Sequence, residues 1–507
     1  MPRISRSLDL HQVSLDALEQ PRNGMVAEAE GRHENGVLVF DAAEGPVTGY
    51  RRTVTVAQDG TRVDEVVEYD LRVPFWGWLI GPLFRFELRR RGDRPGQPWW
   101  APPQRLDPVQ AMVLARLAML AICSGYVGTL LSQLTTFAGN EFGAGPAAQG
   151  TAQAATRIGI LVALVATITA DRLGRRRVLL WGLVAACVVA SLTAGATGLV
   201  TFAAVQILAR GLTTGSDVVR AVVLAEEMPA GARAYAISLS ALCAGLGSGM
   251  VVWLLPVADL DPRAWRAIFA GALLFAPLAW FAAHGLPESR RYLAHRHDRD
   301  SPRLATHRSR LVLLAASAML TTVFAAPASQ LQNEYLRGER GFSAGMITVF
   351  TLLTSTPAGL AVFFGGRLAD VYGRRRIGAI GLVGATAGVS ASFLFSGGAL
   401  WAGAVAGTLF GGLVVPTLVV YGPELFPTRL RGRANGVITA AAVTGSAAGL
   451  LGVGHLSESF GRFGPAMAIV AAGPVMVAVL VLTRYPETAR VELEDLNPGD
   501  RPAPGGP

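Results

Sequence analysis

The chain has 507 residues, of which 51% are hydrophobic and only 16% charged, with a mean hydropathy of +0.39. That balance excludes an ordinary string of soluble domains and points to a membrane protein. The formal net charge is +9 and no lysine occurs, so all 45 basic residues are arginine. They fall mostly in loops between apolar runs, which reads as membrane topology rather than nucleic-acid binding. Cys123, Cys187 and Cys243 lie inside apolar runs and form no disulfide or zinc pattern.

Residues 1–20 lack the apolar core of a signal peptide, so an uncleaved cytoplasmic start is expected. Residues 1–72 are polar and weakly patterned, with one local signal. Thr53-Val-Thr-Val alternates, Asp59-Gly60 supplies turn chemistry and Val63 to Val73 is rich in valine, which predicts a β-hairpin. Phe75 to Phe84 is aromatic and apolar but too short to span, and five arginines follow in Arg85 to Arg94. An aromatic patch beside a basic run suits the membrane surface; a helix buried against the hairpin is the alternative. Pro95 to Pro103 reads as a linker.

From Pro108 onward there are twelve apolar runs, each close to the ~20 residues that a bilayer core requires. They fall near 109–136, 148–169, 178–197, 200–224, 233–255, 264–285, 311–335, 344–365, 377–396, 399–421, 434–455 and 464–483. The expected fold is an all-α membrane protein of twelve transmembrane helices in two pseudo-symmetric six-helix bundles, plus a small N-terminal extension with a β-hairpin. Its parts are an extension at 1–107, bundles at 108–293 and 311–485, a linker loop at 294–310 and a tail at 486–507. Arginines crowd the even-to-odd loops, so the extension, linker and both termini are expected in the cytoplasm. The localisation that follows is the plasma (inner) membrane.

Two motifs recur. Ala170-Asp-Arg-Leu-Gly-Arg-Arg-Arg177 returns as Ala369-Asp-Val-Tyr-Gly-Arg-Arg-Arg376, with Asp171 and Asp370 separated by 199 residues. Glu226-Glu-Met-Pro-Ala-Gly-Ala-Arg233 returns as Glu424-Leu-Phe-Pro-Thr-Arg-Leu-Arg431, at an offset of 198. Unrelated motifs recurring at one offset indicate a duplicated half.

These motifs, with Pro287-Glu-Ser after the sixth span and Pro486-Glu-Thr488 after the twelfth, resemble the major facilitator superfamily over residues ~108–490. The likeness is to its branch of sugar porters and metabolite–proton symporters. It implies a secondary transporter working by alternating access, without catalytic residues, cofactor or metal. Departures narrow the expectation. Thr167 stands where the first loop would begin with glycine, whereas Gly366 fits in the second. Val127 follows Gly125-Tyr126 where proton-coupled relatives commonly carry aspartate, and the fifth span has no Gln or Asn for sugar hydroxyls.

The resemblance makes a cytoplasmic gate of Asp171, Arg175, Glu226, Arg233, Asp370, Arg374, Glu424 and Arg431. Paired charges there would clamp the halves in one state and separate in the other; setting topology alone is the other reading. Intramembrane charge points to the cavity. Arg157 and Arg210 fall near mid-depth and would suit an anion, with Gln133, Gln153, Gln206, Gln330, Gln332 and Asn333 as polar edges. The alternative is internal pairing with Asp217 or capping of backbone carbonyls. Asp217 and Arg220 share a helix face and are expected to pair. Asp217 and Glu334 are the proton-coupling candidates.

The expected function is movement of a small organic solute, with an organic anion ahead of a sugar. A proton is the second expected partner and the bilayer the third, with the monomer as the working unit. Multidrug-type efflux is the first rival, and a membrane-embedded sensor that binds without transport is the second.

Overall fold

Period-two alternation in the N-terminal region carries charge inward as well as apolar groups. In the computed structural model, which describes residues 2–9, 18–34, 37–57, 61–90, 96–144, 152, 155–258, 260–295, 304–342, 344–428 and 430–497, strand β5 (Val47–Val56) buries Tyr50, Arg52 and Val54. Strand β6 (Arg62–Leu71) buries Val63, Glu65, Val67 and Tyr69. The two pair antiparallel, as the alternation predicts, while the expected Asp59-Gly60 turn lies outside the described residues. The hairpin is the centre of a larger sheet. With β1 (Arg3–Asp9), β2 (Ala27–Glu28), β3 (Arg32–Glu34) and β4 (Val37–Glu44) it forms six strands in the order β1-β6-β5-β4-β2, with β3 also on β4.

Inside this unit, which runs Met1–Arg116, Arg52 bridges Glu28 (2.6 Å) and Glu65 (3.3 Å). It also donates to the carbonyls of Leu18 and Gln20 and lies 3.9 Å over the Phe40 ring. Tyr50 donates to Glu28 Oε1 at 2.6 Å. Burial, with the Glu28 carboxylate beside it, pushes the Tyr50 phenol above its usual value and keeps it a donor. A buried charge of this kind is tolerated because nearly every polar atom around it is satisfied.

The second unit begins at Leu117, inside helix 1 (Pro108–Glu141). Helix 2 (Ile160–Leu173) follows a 3₁₀ turn at Thr156–Gly159, then come helix 3 (Arg175–Leu192), helix 4 (Leu199–Glu227) and helix 5 (Arg233–Ala258). Helix 6 spans Trp265–His284. The second set is helix 7 (Arg308–Gln330), helix 8 (Ala344–Tyr372), helix 9 (Arg374–Leu394), helix 10 (Gly398–Leu418), helix 11 (Arg431–Phe460) and helix 12 (Phe463–Arg484). Ten of these are long and apolar enough to cross a membrane among the described residues. The other two are helix 2, whose expected first turns are only partly described, and helix 4, interrupted by Arg210, Asp217 and Arg220.

Packing repeats as the motifs do. Helix 4 packs on helices 2 and 3, and helix 3 on helix 6; helix 10 packs on helices 8 and 9, and helix 9 on helix 12. The halves meet where helix 2 crosses helix 11 and helix 5 crosses helix 8. At the second crossing Gly366 lies against Ala234 and Ser238. At the first, Thr167 occupies the position equivalent to Gly366, and the space comes instead from Gly432 and Gly436, 198 residues beyond Ala234 and Ser238. The missing glycine of the first loop is thus compensated on the facing helix.

Arg52→Met should lower stability of the N-terminal unit by about 3–5 kcal/mol, the usual cost of stripping one partner from a buried ion pair. Arg51→Met, removing an exposed partner of Glu34 on the same strand, should change it by less than ~1 kcal/mol. Thermal unfolding of the full chain measures both.

Candidate functional site

Helix N-termini leave backbone N–H groups without intrahelical acceptors and favour nearby negative charge. Four such ends converge on the arginine-rich face of the bundle, and each is met by a carboxylate. Between helices 2 and 3, and again between helices 8 and 9, the chain turns at Gly174 (φ +107°) and Gly373 (φ +99°), conformations that suit glycine. Glu288 then accepts from the N–H groups of Arg175 (2.8 Å) and Arg176 (3.2 Å). Glu487 does the same for Arg374 (2.9 Å) and Arg375 (3.2 Å).

The other two ends are capped across the divide between the halves. Asp171 of helix 2 accepts from Gly432 N (3.2 Å) and Arg433 N (2.9 Å) at the start of helix 11. Asp370 of helix 8 accepts from Tyr235 N (3.0 Å) at the start of helix 5.

Around these caps the eight residues singled out from the motifs form two quartets. In the first, Arg175 pairs with Asp171 (3.3 Å) and Glu226 (3.4 Å), and Arg431 reaches Glu226 from the other half (3.3 Å). In the second, Arg374 pairs with Asp370 (3.0 Å) and with Glu424, and Arg233 reaches Glu424 from the other half (3.4 Å). Arginine-to-carbonyl bonds repeat the symmetry, Arg175 to Thr428 O (2.6 Å) and Arg374 to Ala230 O (3.4 Å). All four arginines are at most 1% exposed. The charges balance, four against four, and these cross-half contacts all lie at the arginine-rich end. Glu226 Oε2 and the Nε atoms of Arg175 and Arg374 make no hydrogen bond among the described residues, so the network is strong but not saturated.

The chain after helix 12 joins the second quartet. Thr488 Oγ1 accepts from Arg374 (2.9 Å), Val491 O from Arg233 (2.9 Å), and Glu492 pairs with Arg233 (3.2 Å) and Arg291 (3.7 Å). Asn497 donates to Glu424 O at 2.8 Å. Glu288, Glu487 and Glu492 join this network, although the motif reading did not assign them. The first two were visible in Pro-Glu-Ser and Pro-Glu-Thr, whereas Glu492 has no counterpart in the first half, where Leu293 stands at the equivalent place.

Deeper in the first half, the 3₁₀ turn before helix 2 meets helix 4 at Gly159 and Gly211, which brings Arg157 within electrostatic reach of Arg210. Arg210 donates to Gly128 O of helix 1, beside Val127, where a helix-1 aspartate is absent. Its side chain is exposed to solvent. Asp217 pairs with Arg220 at 2.8 Å, as their spacing predicts, and accepts from Ser124 Oγ. Arg220 also donates to Ser240 Oγ (3.0 Å). Arg157 is half-buried and makes no hydrogen bond or ion pair with a described residue.

The other polar candidates scatter. Gln206 is buried and donates to Thr193 Oγ1 at 2.8 Å, so its amide is already engaged. Gln133 and Gln332 are half-buried and Gln330 is exposed where helix 7 breaks before the short helix Gln332–Gly338. Gln153 lies outside the described residues, as do the side chains of Asn333 and Glu334. Among the described residues no group of three or more His, Cys, Asp or Glu is placed to hold a metal ion.

No curated protein matches the chain. Among solved structures, the chain is similar to the E. coli proton:xylose symporter XylE, bound to 6-bromo-6-deoxy-D-glucose, at TM-score 0.66 and 16% identity, covering 78% of this chain and 99% of that one. It is similar to the major facilitator transporter FucP in its outward conformation at TM-score 0.62 and 13% identity, covering 75% and 100%. The human organic anion transporter MFSD10 matches at TM-score 0.60 and 16% identity, covering 74% and 100%. The family model described as Major Facilitator Superfamily matches residues 117–331 and 311–504. This multi-pass membrane protein belongs to the major facilitator superfamily.

Proposed function

We propose that the protein is a secondary transporter that moves a small organic anion across the plasma membrane by alternating access, as a monomer. The observation that carries the anion is Arg157. It is a cation at mid-depth without a described partner, beside a second arginine, while the nearby carboxylate Asp217 is taken by Arg220. The four groups leave a net positive charge inside the membrane, where an uncompensated charge is costly. An anionic ligand supplies the compensation, and guanidinium–carboxylate geometry favours two parallel hydrogen bonds. Similarity in fold to a protein described as an organic anion transporter is consistent with this reading.

In this proposal the arginine-rich face is cytoplasmic, as short arginine-rich loops favour, and the quartets are its latch. Moving a two-state equilibrium from 1:99 to 99:1 takes about 5.5 kcal/mol. Opening exposes the quartets to water, which repays much of the lost pairing, so the latch is worth only a few kcal/mol and ligand binding can compete with it. Asp217, held by Ser124 and Arg220 along the same helix as Arg210, is the proposed proton carrier. The folded N-terminal sheet favours one second reading, a sensor that binds ligand without moving it; flux in proteoliposomes separates the two.

Arg157→Ala should weaken anion binding about 10–100-fold, the worth of a charged hydrogen bond, and abolish anion flux into proteoliposomes while leaving the folded protein intact. Undiminished flux would remove Arg157 from the site. Asp370→Asn leaves Arg374 with one carboxylate fewer and Tyr235 N with a weaker acceptor. Transport should fall by about tenfold or more, equivalent to ~1.4 kcal/mol, with membrane insertion unchanged. Wild-type rates in that variant would refute the latch.

A further inference from the structure

The helix Gly77–Arg89 uses only part of its surface within the N-terminal unit. Phe84 and Leu88, one turn apart, are buried with Tyr69 in the core beneath the sheet. Trp78, Leu79, Leu83 and Phe86 are between 43% and 75% exposed, and with Pro82 they form one continuous apolar strip on the far side. Arg85, Arg89 and Arg90 are also exposed along it, with Arg90 over the Phe86 ring. Bare apolar faces of this kind mark a binding surface. The expected buried helix is present on one face of this element, and its opposite face is bare.

What covers the strip is indicated by where the helix is fastened. Trp76, immediately before it, donates from its indole nitrogen to Ala115 O at 2.9 Å. Ala115 lies two turns inside helix 1, whose stretch long and apolar enough to cross a membrane begins at Pro108. The entry is rigidly specified, because Phe75 holds a left-handed conformation (φ +69°) that a bulky residue keeps only where its surroundings enforce it. Trp99, 62% exposed, lies nine residues before the span and adds an aromatic group of the kind that collects at membrane interfaces.

We propose that Gly77–Arg89 is an in-plane membrane anchor. Its strip of Trp78, Leu79, Leu83 and Phe86 lies in the headgroup–acyl boundary on the side where helix 1 enters, and Arg85 and Arg89 bind anionic lipid headgroups. The apolar strip supplies depth and the arginines supply preference for negative lipid. The sheet, held to the opposite face of the helix through Phe84 and Leu88, is thereby kept at the bilayer surface. The proposal is independent of what the bundle transports.

The test uses the full chain in nanodiscs of phosphatidylcholine with 30 mol% phosphatidylglycerol. Nitroxide labels are placed by Leu79→Cys, Leu83→Cys and, as a control on the sheet, Val56→Cys, which is 46% exposed. The three native cysteines are buried, so the wild-type chain serves as the labelling blank. Labels at 79 and 83 should be relaxed more by lipid-soluble oxygen than by an aqueous nickel chelate, and the label at 56 should show the reverse. Adding Arg85→Glu and Arg89→Glu should shift positions 79 and 83 toward the nickel chelate by severalfold in these discs, and much less in discs of phosphatidylcholine alone. Labels at 79 and 83 as open to nickel as the control would overturn the proposal. So would labels shielded from both reagents, which would signify a protein partner or a second copy, or a charge reversal whose effect ignores lipid charge.

Discussion

An ion pair between a buried arginine of one half-bundle and a carboxylate of the other is the contact that joins the halves at the arginine-rich face. Arg431 reaches Glu226 and Arg233 reaches Glu424 across the divide, and both arginines are fully buried. Such charges are stable out of water only while their partners are present. Contact between the halves therefore decides whether this face is a dry, neutral network or a wet set of separate ions. Burial makes the closed arrangement specific, and hydration of the separated groups keeps the difference small. As the proposed latch, such a network would hold one state without locking it.

The rest of the arginine-rich face is built to present those groups. Asp171 and Asp370 each do two things at once, pairing with an arginine of their own loop and capping a helix of the opposite half. Glu288 and Glu487 fix the helices that carry Arg175 and Arg374. The two-fold relation is not complete. Glycine sits on helix 8 at one crossing and on helix 11 at the other, and Glu492 adds a carboxylate to the second quartet where the first half has Leu293 at the equivalent place. The chain after helix 12 consequently ties Arg233 and Arg291 of the first half to Arg374 of the second. An asymmetry of this kind lets the two quartets differ in strength although their motifs match.

Much of this was legible because duplicated charged motifs are chemically explicit. An offset of 198 or 199 residues aligned Asp171 with Asp370 and Glu226 with Glu424 before any geometry was known. Apolar run length likewise anticipated the helices, helix 4 among them, although the charges of helix 4 keep it out of the ten that are apolar enough to cross a membrane. What escaped depended on long-range pairing. Strand β1 pairs with β6 some sixty residues away, and β5 and β6 bury Arg52 and Glu65, so the inward face of the sheet does not read as apolar. Gly436 opposite Thr167, and Thr193 opposite Gln206, follow from helix crossings that no local pattern encodes. The aromatic helix defied an either-or reading because it buries one face and bares the other.

The central claim is that cross-half charge pairing holds this face closed. The most direct test is a spin–spin distance measurement between labels at Leu173→Cys and Tyr372→Cys, which lie at the exposed ends of helices 2 and 8 in opposite halves. Measured in nanodiscs, the wild-type background should give one dominant distance. Replacing both Arg233 and Arg431 by glutamine should populate a second, longer one. A distribution unchanged by loss of both arginines would contradict the account.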